Sequence, residues 1–192
     1  MKFFGFLLLI STICLNAKDI YVEQHFIDAT KNYPKVNPGL MKIISMAETS
    51  GNPQTLAFLA YPDQAQTANG LLGQEGVRYR VKAYDSKRYV FSVWPKNNSE
   101  ASKVFAILRL AKIDSYDIGL MQVNSLNARR NGWDEMRLFT DLVYNIDKGA
   151  KILNDCIGSN SRLEGAIECY NKGSHKQYSY SYYQRVFALA AK

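Results

Sequence analysis

The sequence predicts a mainly α domain of the α+β type, with a small β-hairpin-containing insertion. Three observations point there. Apolar residues recur at helical spacing through most of the 192 residues, strand-like alternation is confined to Val77–Trp94, and no repeat or low-complexity linker divides the chain.

The chain opens with "MKFFGFLLLISTICLNA", in which Lys2 precedes an apolar run from Phe3 to Leu15 and Ala17 offers a small residue before Lys18-Asp19. This is expected to be a secretory signal peptide over residues 1–17. The run is too short for an ordinary membrane span, although a retained N-terminal anchor is the alternative. Cys14 follows Ile13, where a lipid-attachment signal resembles a Gly, Ala or Ser pattern. Residues 18–192 then form one domain, large enough to bury a core.

The formal net charge is +7, one fewer once Lys2 is removed. A basic secreted protein is steered toward polyanions, and an envelope offers anionic wall peptides and lipid head groups. Surface lysines kept for solubility are the plainer alternative. No basic block or recognition module appears, so nucleic acid is not an expected partner. Cys156 and Cys169 remain after the signal, and an even count in an oxidising compartment suggests one disulfide. Two buried thiols would read the same way. Neither these cysteines nor the two histidines fall at zinc-ligand spacing, so no metal is expected.

Along the domain, residues 18–36 read as an extension whose Ile20, Val22, Phe26 and Ile27 form a short packed helix. Asn37-Pro38 reads as a helix start, with Asn as cap and Pro in the first turn. Leu40, Ile43, Ile44 and Ala47 fall on one face, and Glu48 follows at the helix's C-terminal end, before Gly51 and Pro53. The negative end of the helix dipole and nearby apolar surface both disfavour a carboxylate there. Glu48 is therefore the candidate general acid, since such a carboxyl can stay protonated near neutral pH; a surface glutamate ending a helix is the alternative.

"VRYRVKAY" and "RYVFSVW", joined by Asp85-Ser86-Lys87, read as a hairpin whose Tyr79, Tyr89 and Trp94 either pack together or stack on sugars. Ser99 and Ser102 precede the next helix, "KVFAILRLAKI". The remainder reads as helices: "MQVNSLNARRNG", ending at Gly132; "YNIDKGAKILNDCI", with Ile146, Ala150, Leu153 and Ile157 on one face; "RLEGAIECYN"; and a tail with Tyr182, Val186 and Leu189 in register.

Several chemistries are excluded by what is missing: a G-x-S-x-G elbow, a phosphate-binding glycine loop, H-E-x-x-H, and a paired-cysteine redox motif. Carboxylate chemistry is left. Glu164 and Glu168 stand four apart, which usually marks a solvated helix face. In "DIGLMQVN", Gly119 suits a loop entering a helix, with Gln122 as an orienting amide for sugar groups and Met121 beside it, or in the core. In "AIECYNKGS", Tyr170 and Asn171 precede Gly173, and the tyrosine could hold a carboxyl or simply pack.

The Glu48 helix end, "GLMQ" and "YNKG", in that order, resemble the three signature motifs of the lysozyme-like lytic transglycosylases, of the soluble type. "DIGLMQVNS" and "NIDKGAKIL" are most like the small secreted members that accompany type IV secretion and conjugation systems. The resemblance implies a lysozyme-like helical fold and a cofactor-free, monomeric periplasmic enzyme. Its partners would be peptidoglycan glycan strands and, beyond them, secretion-system or other envelope proteins. It makes Glu48 the catalytic acid and then base. Gln122 would position sugar, and Met121 would line the acetamido pocket. Tyr170 would bond the Glu48 carboxyl or the substrate acetamido group, with Asn171 supporting its turn.

Two features depart from the family's pattern. Thr49 stands where a serine usually follows the glutamate, and the distance from Glu48 to Gly119 is far longer than usual, the excess falling on an insertion at about 58–112. Such an insertion would sit beside the cleft. Ordinary glycosidases need two carboxyl groups, whereas in this family one glutamate and the substrate's own acetamido group suffice, closing a 1,6-anhydro ring without water. Asp63, Asp85 or Asp117 could still fold toward Glu48. The rivals are a muramidase that uses water and a non-catalytic wall-binding assembly factor.

Overall fold

The structure, a computed structural model, describes residues 17–173 and 178–191. The expected signal segment lies outside the described residues, except for Ala17, where helix α1 (Ala17–Thr30) begins. Phe26 and Ala29 of α1 are buried against helix α2 (Pro38–Thr49) and the helices that follow. Asn37 caps α2 as expected: its side chain accepts from Leu40 N at 3.1 Å, with Pro38 in the first turn. The buried stripe of α2, however, is Met41, Ile44 and Ser45, while Leu40, Ile43 and Ala47 are half-buried. Apolar residues occupy more than half of this helix's circumference, so their spacing does not single out the innermost line. The next position on the true stripe is Glu48, one turn beyond Ile44 and Ser45. Ser50, with φ 54°, and Gly51, with φ 79°, then end the helix in left-handed conformation.

The chain next builds strand β1 (Leu56–Ala60), helix α3 (Pro62–Gln74), strands β2 (Arg78–Ala83) and β3 (Tyr89–Trp94), helix α4 (Asn98–Leu110), and strands β4 (Tyr116–Ile118) and β5 (Val123–Asn124). All five strands form one antiparallel sheet, ordered β2-β3-β1-β4-β5. The expected hairpin is β2-β3, but the segment 58–112 is no separate appendage. Its strands pair through β1 with β4, so the sheet runs from the hairpin into the Gly119 turn. Phe58 and Phe91 stack at 4.7 Å on the core face, and Tyr79 stacks on Phe91 at 6.3 Å with its hydroxyl on Asn69. Tyr79 is therefore a packing residue. The start of α4 also differs from expectation, because Asn97 is its cap and accepts from Glu100 N at 2.9 Å.

Short helices α5 (Ser125–Arg130) and α6 (Glu135–Thr140) lead to α7 (Leu142–Ser159), α8 (Leu163–Lys172) and α9 (Ser181–Ala190). Ile146, Ala150 and Leu153 run fully buried along α7. A disulfide joins Cys156 to Cys169, with Cα atoms 5.7 Å apart, so the crossing of α7 and α8 brings the two residues together. Closing a loop of this length contributes about 3 kcal/mol.

Glu164 and Glu168 do not share a solvated face. Glu164 pairs with Arg162 outside, but Glu168 is 0 % exposed, accepts from Tyr183 N at 2.9 Å and pairs with Lys172 at 3.0 Å. Burial pushes its pKa up, yet the Tyr183 N–H, Lys172 and the Tyr182 N–H outweigh burial and hold it below its ordinary value. Glu168 is thus the anion at the N-terminus of α9, a helix whose own N-cap residue, Tyr180, supplies no side-chain cap. Among the described residues no helix is long and apolar enough to cross a membrane.

Candidate active site

Glu48 sits half-buried at the end of α2, where α8, α9 and strand β4 converge on it. The Tyr182 hydroxyl of α9 donates to Glu48 Oε1. Burial drives the Glu48 pKa upward; Tyr182, Arg185 and Asn171 favour the charged form, and the Asp117 carboxyl adds to the rise. The net shift is upward, which is what a proton donor at neutral pH requires. Tyr182 is itself buried beside that carboxyl, and both effects raise its phenol far above the ordinary value. It therefore remains a donor at every physiological pH. Arg185 lies over the Tyr182 ring at 4.9 Å, so α9 brings a hydroxyl and a cation to Glu48 together.

The "GLMQ" stretch does not lead directly into a helix. It is the turn between β4 and β5, with Gln122 N donating to Gly119 O at 3.1 Å, and α5 starts only after Asn124. Gly119 (φ 75°) and Gln122 (φ 48°) both take left-handed conformation. Asn145 of α7, 1 % exposed, holds the turn through three bonds: its Nδ2 donates to Ile118 O and Leu138 O, and its Oδ1 accepts from Met121 N at 2.8 Å. A Cβ on Gly119 would stand 2.5 Å from Asn145 Nδ2. Gly149, one turn along α7 from Asn145, leaves room for Met121, whose side chain is fully buried.

The remaining expected site residues fall around this turn. Gln122 Nε2 donates to Gly119 O at 2.8 Å and Thr55 O at 3.3 Å, so the amide braces the turn. Tyr170 donates to Met121 O at 2.7 Å, and the hydrogen bond to Glu48 is made by Tyr182 instead. Asn171, expected to support the Tyr170 turn, lies beside Glu48. Thr49 keeps the hydroxyl of the serine it replaces, bonding Ser45 O at 3.1 Å and Leu120 O at 3.3 Å, and so ties the Glu48 helix to the turn.

Of the three aspartates considered, Asp117 on β4 is the one beside Glu48. It accepts from Asn124 Nδ2 at 2.8 Å, and burial pushes its pKa up to about 6. Asp63 lies in the first turn of α3 and Asp85 sits in the hairpin turn, paired with Arg88. A cleft of about 410 Å³ lies on another side of the turn, lined by Pro53, Leu120, Phe139 and Asn145 rather than by Glu48.

The sequence model of the transglycosylase SLT domain matches residues 79–187, more than half of the chain. The chain belongs to this family. As an SLT transglycosylase it acts on peptidoglycan, and the lysozyme-like architecture agrees with its mainly helical fold and small sheet. The match takes in the Gly119 turn, Tyr170 and Tyr182. It begins after Glu48, so the match itself does not include that residue. No curated protein and no solved structure matches the chain.

Sequence reasoning passed over three residues of this transglycosylase. Tyr182 registered only as a member of an apolar stripe and Arg185 not at all, because nothing local in "SYYQRV" tells which helix the tail will meet. Asn145, the first residue of the quoted "NIDKGAKIL", carried a usable signal: an amide on the buried face of an otherwise apolar helix demands partners.

Proposed function

We propose that this protein is a periplasmic lytic transglycosylase that cleaves the β-1,4 bond between N-acetylmuramic acid and N-acetylglucosamine. The observation that carries the reading is the seat of Glu48, a half-buried carboxyl with a raised pKa, bonded by Tyr182 and beside Asp117 of β4. Protonated Glu48 gives its proton to the glycosidic oxygen, and the bond to the muramic C1 breaks. The positive charge that develops there is met by the substrate's acetamido group. The Glu48 carboxylate then takes the C6 hydroxyl proton as that oxygen bonds C1, which closes the 1,6-anhydro ring and returns Glu48 to its acid form. Tyr182 and Arg185 favour the carboxylate between the two proton transfers, while burial favours its reprotonation. Such an activity would open the wall locally for a secretion or other envelope-spanning system.

One observation favours a second reading. Asp117 is a second carboxyl beside Glu48, and two carboxyls are what hydrolysis by water uses. Mass spectrometry of digested wall separates the two: anhydro-muramic ends are expected, and reducing ends would overturn the transglycosylase reading in favour of a muramidase. Glu48→Gln should lower release of soluble fragments by about a hundred- to ten-thousandfold. Undiminished release would remove Glu48 from the chemistry. No release from the native protein would leave the wall-binding assembly factor.

A further inference from the structure

The sheet has a second face, and its register makes a continuous surface leading away from Glu48. Residues paired across antiparallel strands point to the same side. Asp117 pairs with both Ala57 and Asn124, Ala57 pairs with Ser92, and Ser92 pairs with Arg80. One rung of the sheet thus runs from the Asp117 carboxyl to the Arg80 guanidinium without leaving that face. The rung crosses three interstrand steps, about 14 Å. Its inner positions are half-buried, as the floor of a groove would be, whereas Arg80 is exposed.

At the far end the face changes chemistry. Arg78, Arg80 and Lys82 alternate outward along edge strand β2 and are all exposed. None has an ion-pair partner among the described residues; Arg78 lies over the Trp94 ring at 5.1 Å. This contrasts with Arg88, Lys103, Arg129 and Arg137, each paired with a carboxylate. Charge on an edge strand also deters pairing with another sheet. That role requires neither three uncompensated cations in one row nor their continuity with the Asp117 rung.

We propose that Arg78, Arg80 and Lys82 form an anion subsite that binds carboxylates of the peptide stem borne by a glycan strand lying across the sheet. A strand with its scissile bond at Glu48 and its saccharides over Ala57 and Ser92 carries its next peptide-bearing sugar toward β2. The stem's free carboxylates then meet the cationic row, with Trp94 offering a ring face beside it. This rests on the peptidoglycan reading above.

Pelleting with purified sacculi tests the subsite, because binding needs no turnover. The native protein, Glu48→Gln and the triple variant R78Q/R80Q/K82Q are compared on intact sacculi, on glycan stripped of its peptides by an amidase, and on phosphatidylglycerol vesicles, with thermal melts to confirm folding. The triple variant should bind intact sacculi roughly tenfold more weakly, and the deficit should shrink as salt rises. On stripped glycan it should match the native protein. Equal binding to intact sacculi, an equal deficit on stripped glycan, or a deficit confined to the vesicles would overturn the proposal; the last would make the row a lipid-surface contact. If the binding pattern holds but the native protein and Glu48→Gln release the same soluble fragments, the cleavage reading fails and the anion subsite stands.

Discussion

Replacing Asp117 by Asn should make the protein more stable at neutral pH. The carboxyl is buried on β4, and its pKa rises from 3.8 to about 6. The folded state therefore holds this proton more tightly than the unfolded chain, so the stability contribution is full below pH 4 and is lost as pH rises toward 6. A shift of about two units corresponds to about 3 kcal/mol above pH 6, at roughly 1.4 kcal/mol per unit. Asn keeps the shape and can still accept the Asn124 bond. For a chain of this length, about 3 kcal/mol is worth about 6–12 °C in Tm. Circular dichroism melts at pH 4 and pH 7.5 read the effect: the two proteins should differ little at pH 4, with the variant ahead at pH 7.5. A variant that melts below the native protein at pH 7.5, or a gap independent of pH, would refute the reasoning. The same change removes a negative neighbour of Glu48, so the loss of activity on the alkaline side should move to lower pH.

Tyr182→Phe acts in the opposite direction. It removes a hydrogen bond that favours the Glu48 carboxylate, so the alkaline limb of the pH–rate profile should move up while the maximal rate falls. Gly119→Ala should cost about 3 kcal/mol or more by urea unfolding, because its Cβ collides with Asn145 at a left-handed backbone position. Glu168→Gln should cost about 3 kcal/mol in the same assay, since it leaves Lys172 without its buried partner and α9 without the anion at its N-terminus. Reduction of the Cys156–Cys169 bond should lower stability by about 3 kcal/mol, read as a drop in the urea midpoint with added thiol reductant.

The helices were legible where one sequence position had one plausible role. Asn37-Pro38 specified the start of α2 locally, and α7 announced itself because Ile146, Ala150 and Leu153 recur at helical spacing between polar residues. α3 was missed, since its buried line is Ala65, Ala68 and Leu72, small residues that give a weak periodic signal. β1, β4 and β5 were missed because each is short and draws its stability from neighbours distant in sequence. The same reason governs the site. Glu48 could be singled out from its discomfort at a helix end, and the Gly119 turn from its motif. Which tyrosine reaches Glu48 depends on how α9 docks, and that takes Glu168 of α8 and the α2 surface as well as the tail's own buried Tyr182 and Val186.

Glu48 and its tyrosine partner stand 134 positions apart in the chain. The pair proposed as the proton donor is therefore not assembled when α2 forms, nor when the sheet and the Gly119 turn are complete. Until α9 arrives, Glu48 lacks the hydroxyl and cation of Tyr182 and Arg185, and the α2 surface that α9 covers is open to water. On the proposed mechanism, competence waits for α9 to dock on α2, so a chain in which α9 has come away from α2 would be inert.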